Sequence, residues 1–288
     1  MKKLLTLLFV LPLFAFAQPD AKKDTVWTVE GNTTINFSQV ALSNWAAGGK
    51  GSMSAVFMES FKANYKKEKV SWDNTFDFRY GFIKENDEDL RKSDDKIDIS
   101  SKYGYQAKGN WNYTGLFNFK SQFAPGYNYP DTDNSISKFL APAYVTLGAG
   151  MDYKTDNFSA LVAPLSGKFT IVADDDLSNQ GAFGVDPGEK IRGEFGASIK
   201  FEYKAEIMKN VSFDTKLDLF SNYLNKPKNI DFDWTGKVNM KVNDYLSANL
   251  VVQMIYDDDI DILDPDTGNS GPRLQFMEMF GVGLTLKY

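Results

Sequence analysis

The chain has 288 residues, with 32 Lys and Arg against 38 Asp and Glu, a formal net charge of −6 at pH 7, and neither Cys nor His. The acidic balance argues against nucleic acid as a partner, which calls for a basic face, and the missing cysteines exclude a disulfide scaffold. Without histidine there is no Ser-His-Asp or Cys-His nucleophile system, no histidine-ligated zinc and no histidine general base.

At the start, Lys2 and Lys3 precede an apolar run from Leu4 to Phe14, and Ala15-Phe16-Ala17 fits the small-x-small site of a secretory leader. Residues 1–17 read as a cleaved signal peptide, 18–25 as a short periplasmic segment and 26–288 as the mature domain. The apolar run is well short of the roughly 20 residues a spanning helix needs. Gln18, standing where a cysteine would have to be, excludes a lipid-modified N-terminus. Cleavage takes two lysines, leaving 30 basic against 38 acidic residues and a net of −8.

From there the chain follows a period of two. Twelve strands are expected, at 26–40, 51–65, 69–83, 93–107, 110–123, 138–153, 157–172, 191–207, 211–224, 230–243, 245–257 and 272–288. Tight turns at Lys66-Lys67-Glu68, Lys108-Gly109, Thr155-Asp156, Met208-Lys209-Asn210 and Asn243-Asp244 alternate with connections that are mostly longer. Aromatic residues gather near the tight turns, among them Trp27, Tyr65, Trp72, Trp111, Tyr153, Phe158, Tyr203 and Tyr288. Long strands, an even count, unequal ends and an aromatic girdle predict an all-β fold, a transmembrane antiparallel up-and-down β-barrel of about 12 strands. A soluble secreted lipid-binding β protein is the alternative that periodicity alone leaves open.

The stretch 191–207 sorts by parity, with Phe195, Ile199, Phe201 and Tyr203 on one face and Arg192, Glu194, Lys200, Glu202 and Lys204 on the other. Hydrocarbon satisfies neither charges nor backbone polar groups, so the uncharged face is assigned to lipid and the charged one to an aqueous lumen. The same rule turns Asp73, Asp77, Arg79, Asp214, Lys216, Asp218, Asp231, Asp233, Lys237 and Lys241 inward. A three-residue turn at 208–210 would set Lys204 opposite Asp214, Glu202 opposite Lys216 and Lys200 opposite Asp218. Glu59 and Glu278 fall on the lipid side, where a mid-membrane acid is unfavourable and marks a bulge, a partner interface or a mistaken register. Pro164 predicts a local register change.

The least strand-like stretch is "SQVALSNWAAGGKGS", residues 38–52. Through Asn44, Trp45, Gly48 and Gly49 it resembles the N-terminal signature of the domain-of-unknown-function family numbered 3078, over nearly the whole mature chain. That resemblance implies an outer-membrane barrel and no activity. The loop reads either as a structured turn or as a constriction in the barrel mouth. The ending "GVGLTLKY", with Gly283, Leu284, Leu286 and Tyr288, resembles the signal by which the barrel-assembly machinery reads Gram-negative outer-membrane proteins.

Asp257, Asp259, Asp261, Asp264 and Asp266 form an oxygen-rich loop that would suit Ca2+ in the outer loops or a bridge to lipopolysaccharide, or be a solvated loop. No other cofactor is expected. Outer-membrane lipid is the expected surrounding, with an unidentified membrane-protein partner a further option. The function expected is a narrow non-enzymatic channel or pore with a charged lumen; a structural or accessory subunit of an outer-membrane complex is the second reading. A barrel hydrolase ranks last, because its familiar serine-histidine pair cannot be built here.

Overall fold

The computed structural model describes residues 26–42, 50–85, 88–263 and 267–288. The expected leader, the family-signature residues Asn44, Trp45, Gly48 and Gly49, and two of the loop acids, Asp264 and Asp266, lie outside the described residues.

Twelve long strands form: β1 (Trp27–Val40), β2 (Ser52–Lys67), β3 (Val70–Glu85), β4 (Arg91–Lys108), β5 (Trp111–Ser121), β6 (Ala143–Lys154), β7 (Phe158–Ile171), β8 (Ile191–Met208), β9 (Val211–Asn222), β10 (Asp231–Lys241), β11 (Leu246–Tyr256) and β12 (Gln275–Lys287). Each pairs antiparallel with its neighbour along the chain, and β12 returns to β1 to close the barrel. All twelve expected strands are present. The largest displaced end is at β6, expected from 138 and beginning at Ala143; residues 138–142 instead form an isolated bridge between Lys138 and Ala141.

The tight turns carry the left-handed residues that such turns require, with Glu68 at φ 50°, Gly109 at 58° and Asn210 at 64°. The turn between β8 and β9 corrects the expected three-residue loop. Met208 pairs with Val211, leaving a two-residue turn, and a bulge after Glu206 absorbs the extra residue. One residue has moved from loop to bulge, so Lys204–Asp214, Glu202–Lys216 and Lys200–Asp218 stand opposite each other as expected.

At Pro164 the register of β7 shifts against both neighbours. Val162 and Leu165 both stay on the outside across this bulge, and Gly150 faces it, where a Cβ would run into the Val162 carbonyl.

The two faces of the sheet decide what solvent it was built for. Leu165 is 62% exposed and Leu284 65% on the outside, whereas Lys102 and Lys200, on the inside, are each 5% exposed. Apolar side chains out and charges in is the inverse of a soluble fold, and closure removes the sheet edges that lipid cannot satisfy. The soluble alternative is thereby set aside. At the tight-turn end the aromatic girdle is a run of ring contacts: Trp27 meets Tyr65 and Trp72 at 5.3 and 5.8 Å, and Trp111, Tyr153, Phe158 and Phe201 follow at 5.2, 6.2 and 5.2 Å.

Glu59 does face outward, and closure explains how it is tolerated. Thr33 on β1 donates its hydroxyl to one carboxylate oxygen at 2.5 Å, and the Tyr288 hydroxyl donates to the other at 2.7 Å. Gly31 makes room, since a Cβ there would fall on the Tyr288 ring. The terminal aromatic thus ties β12 to β2 across β1, and the acid enters the lipid-facing surface already hydrogen-bonded.

Two outer connections fold over the mouth. Residues 122–142 carry a small ribbon (126–127 with 135–137), and residues 172–190 carry α1 (Asp175–Asn179) followed by a 3-10 turn. Ala141, Val172, Leu177 and Val185 are buried between them, with Ala182 and Phe183 packed alongside. A second ribbon pairs 261–263 with 270–272.

Candidate functional site

The lumen is the site, and its chemistry follows from which strands face one another. β3 and β9 stand on opposite sides of the ring. The Lys216 ammonium on β9 nevertheless donates to Asp77 on β3 at 2.6 Å, and Lys237 on β10 reaches the same carboxylate at 3.4 Å. These bonds cross the barrel.

Others do the same at neighbouring levels. Lys120 on β5 binds Asp218 on β9 at 2.6 Å and Asp233 on β10 at 2.7 Å, and Lys200 shares Asp218 at 2.6 Å. Lys102 on β4 meets Glu202 on β8 at 3.0 Å, and Lys154 binds Asp73. Arg79 holds Asp94 at 2.9 Å and donates to Gln253 on β11 at 2.9 Å. Toward the outer mouth Lys168 lies between Asp231 at 2.7 Å and Asp257 at 2.8 Å, while Arg192 joins Glu194 at 3.0 Å and Asp259 at 3.2 Å. Spokes of opposite charge therefore span the middle of the barrel.

Lys204 and Asp214 face each other without a salt bridge near the tight-turn end, where Lys204 is exposed. Lys241 is also exposed there and pairs with Asp244 at 2.6 Å. Reading parity strand by strand overlooked Lys96, Asp98, Lys102, Lys120, Asp152, Lys154 and Lys168 on β4 to β7, whose ion pairs complete the lattice. Their signal was available, because Asp94, Lys96, Asp98 and Lys102 alternate with outward Ile97, Ile99 and Tyr103.

Among the spokes toward the outer mouth is a cavity of about 590 Å³, bordered by Lys96, Lys120, Tyr144, Lys168, Asp231 and Asp233 and by Gln253, Gln275 and Met277. Phe183 and Ile136 from the folded loops reach its rim.

The wall from β11 through β12 and β1 to β2 is of another kind. Its inward positions at mid-height, such as Thr34, Asn36, Val56, Met58, Asn249, Val251, Met277, Met279 and Thr285, carry no charge. Hydroxyls and amides join it: Thr285 bonds Ser247 at 2.6 Å and Thr34 at 3.1 Å, and Asn249 donates to Asn36 at 3.1 Å.

The described acids of the outer loop do not converge. Asp257 is taken by Lys168 and Asp259 by Arg192, and Asp261 sits in the ribbon with Pro272. Among the described residues no group of three acidic side chains is placed to hold a metal ion. In the same loops Lys138 donates to Asp174; this bond holds the Asp174 carboxyl below its ordinary range and the Lys138 ammonium above its own.

With the closed barrel and its first strands described, the family match has a place. Residues 37–127 match the family described as "Protein of unknown function (DUF3078)". The match runs from the outer end of β1 through β5, a narrower span than the mature chain, and it includes the Asn44–Gly49 segment. No curated protein matches the chain. Among solved structures, the COG4313 outer membrane channel from Pseudomonas putida F1 is 13% identical, with 94% of this chain and 100% of that one covered and a TM-score of 0.41. An active-site mutant of outer membrane phospholipase A from Escherichia coli is 12% identical, with 93% and 94% covered and a TM-score of 0.41. The NanC porin is 8% identical, with 90% and 100% covered and a TM-score of 0.37. A channel, a phospholipase and a porin stand side by side, so likeness does not choose an activity.

Proposed function

We propose that the protein is a non-enzymatic outer-membrane pore for small polar solutes, closed at rest by its own side chains. The observation that carries this reading is the bond from Lys216 to Asp77 across the lumen beneath the outer cavity. Bonds between mobile side chains can exchange partners as a charged solute passes, which a plug of packed backbone cannot do. The charges are mixed in sign, which favours zwitterions and small neutral polar solutes over a strongly selected ion.

Reconstitution in planar bilayers tests it. The wild-type barrel is expected to pass small, intermittent currents, and Asp77→Ala to raise mean conductance severalfold by releasing Lys216 and Lys237. Silence from both proteins would overturn the reading. The accessory-subunit reading loses one of its motives, because Thr33 and Tyr288 occupy both oxygens of Glu59; Glu278 stays exposed on the outward face.

A further inference from the structure

The wall of the barrel is not equally closed all round. β1 and β2 pair along their whole length, from Trp27 with Tyr65 to Val40 with Ser52. The closing seam between β1 and β12 runs only from Asn32 with Lys287 to Phe37 with Val282, extended at the tight-turn end by two backbone bonds between Gly31 and Tyr288 at 2.8 and 3.0 Å. Beyond Phe37 and Val282 the ladder stops. Residues 275–280 pair with β11 on one side, and among the described residues no strand pairs with them on the other. An unpaired strand edge facing hydrocarbon is costly unless something polar or amphipathic visits it.

The inner cavity reaches this same place. Gln275, Phe276 and Met277 border it, so the unpaired edge is part of the wall of a space that Lys168, Asp231 and Lys120 also border. Along the way from edge to charges the inner surface is uncharged, with Met277, Met279, Val251 and Ile255. On the outside, Phe276 and Phe280 stand on the unpaired edge, with the exposed Glu278 between them. Aromatic and methionine side chains on this edge thus border the same space as lysines and aspartates.

We propose that the outer half of the β1–β12 seam is a lateral entrance through which a single-chain amphiphile with a zwitterionic head exchanges between the lumen and the outer leaflet. Its head is placed among the paired charges, where a cation and an anion each find a partner. Its chain lies along Met277 and Met279 and leaves through the gap. This goes beyond the axial pore, which moves polar solutes from mouth to mouth, and it does not need that pore to conduct.

The test uses the full barrel in maltoside micelles and a lysophosphatidylcholine carrying a photoactivatable group in its acyl chain. Labelling is expected to concentrate on residues 275–280 and on inward Met279. Val40 and Met279 would stand opposite each other if the ladder continued, and both face inward, so Val40→Cys with Met279→Cys can staple the gap in a chain that has no other cysteine. Oxidation is expected to cut seam labelling at least fivefold and reduction to restore it. Met277→Trp, which narrows the same passage without needing a disulfide to form, is expected to cut it in the same way.

Labelling spread evenly around the lipid-facing belt and indifferent to both variants would overturn the proposal. So would hydrogen exchange at 275–280 as slow as at 282–287 in the unstapled protein. Conductance of the stapled barrel keeps the two readings apart: current with lost labelling leaves the pore standing, and seam labelling without current leaves the entrance standing alone.

Discussion

The wall from β3 to β10 and the wall from β11 round to β2 share one strand plan and are held by different forces. The first is pulled together across the lumen by ion pairs such as Asp77–Lys216 and Lys120–Asp233. The second is joined mainly to its own neighbours, through Thr34, Thr285, Ser247 and Asn249, with Gln253 reached from β3 by the Arg79 guanidinium. The difference teaches that the pattern of a strand decides its lining, while cohesion depends on what the lining meets on the far side. The least-paired seam, between β12 and β1, lies in the wall that the cross-lumen ion pairs do not join.

The sharpest way to break the contrast is to unpair a spoke. Asp77→Ala strands two lysines in a confined space, and removing one member of a buried pair costs about 3–5 kcal/mol. Urea unfolding in lipid vesicles is expected to show that loss. Asp77→Ala combined with Lys216→Met is expected to recover much of it, because no buried charge is then abandoned on β9. If the single variant unfolds like wild type, the spokes contribute nothing and the contrast between the walls is lost.

On the uncharged side the effect is smaller. Tyr288→Phe leaves one oxygen of Glu59 without its donor, at a cost of about 1–3 kcal/mol. Glu59→Leu together with Tyr288→Phe removes both partners from a lipid-facing surface and is expected to unfold close to wild type in the same assay. A double variant as weak as the single one would mean that the loss does not come from stranding the Glu59 carboxylate.

The smallest effect touches neither wall and serves as a control on both. Asp174 caps α1 by accepting from the Leu177 amide at 3.1 Å and is bonded by Lys138, so its folded value lies below the ordinary 3.8. A lowered carboxyl value gives stability that is complete above 3.8 and is lost as the pH falls through the folded value. Hydrogen exchange in residues 172–190 is expected to quicken modestly below pH 3.8 while β3 and β9 stay protected. Asp174→Asn keeps a good cap but abolishes that pH response.

Much of the fold was legible because lipid imposes a strict rule on each strand separately. Phe195, Ile199 and Tyr203 had to share a face, and Lys200–Asp218 could be placed by counting back from a turn. The count survived a misassigned loop only because a bulge at Ile207 made up the difference. The spokes were not legible. Parity says that Asp77 and Lys216 face inward, but which inward residue meets which depends on how far successive strands slide before the sheet closes, a property of the whole ring. Glu59 looked anomalous for the same reason, since its donor lies at the other end of the chain and arrives beside it only when β12 meets β1. The short ribbons at 126–137 and 261–272 were missed because segments of two or three residues carry no period to read.

A wheel braced along one diameter resists flattening in that direction and yields more readily along the other. The Lys216–Asp77 bond is such a brace, and the incomplete β1–β12 seam lies on the rim it does not support. Distortion of the ring is accordingly expected to begin at the seam, where fewer backbone bonds hold two strands together than between β1 and β2.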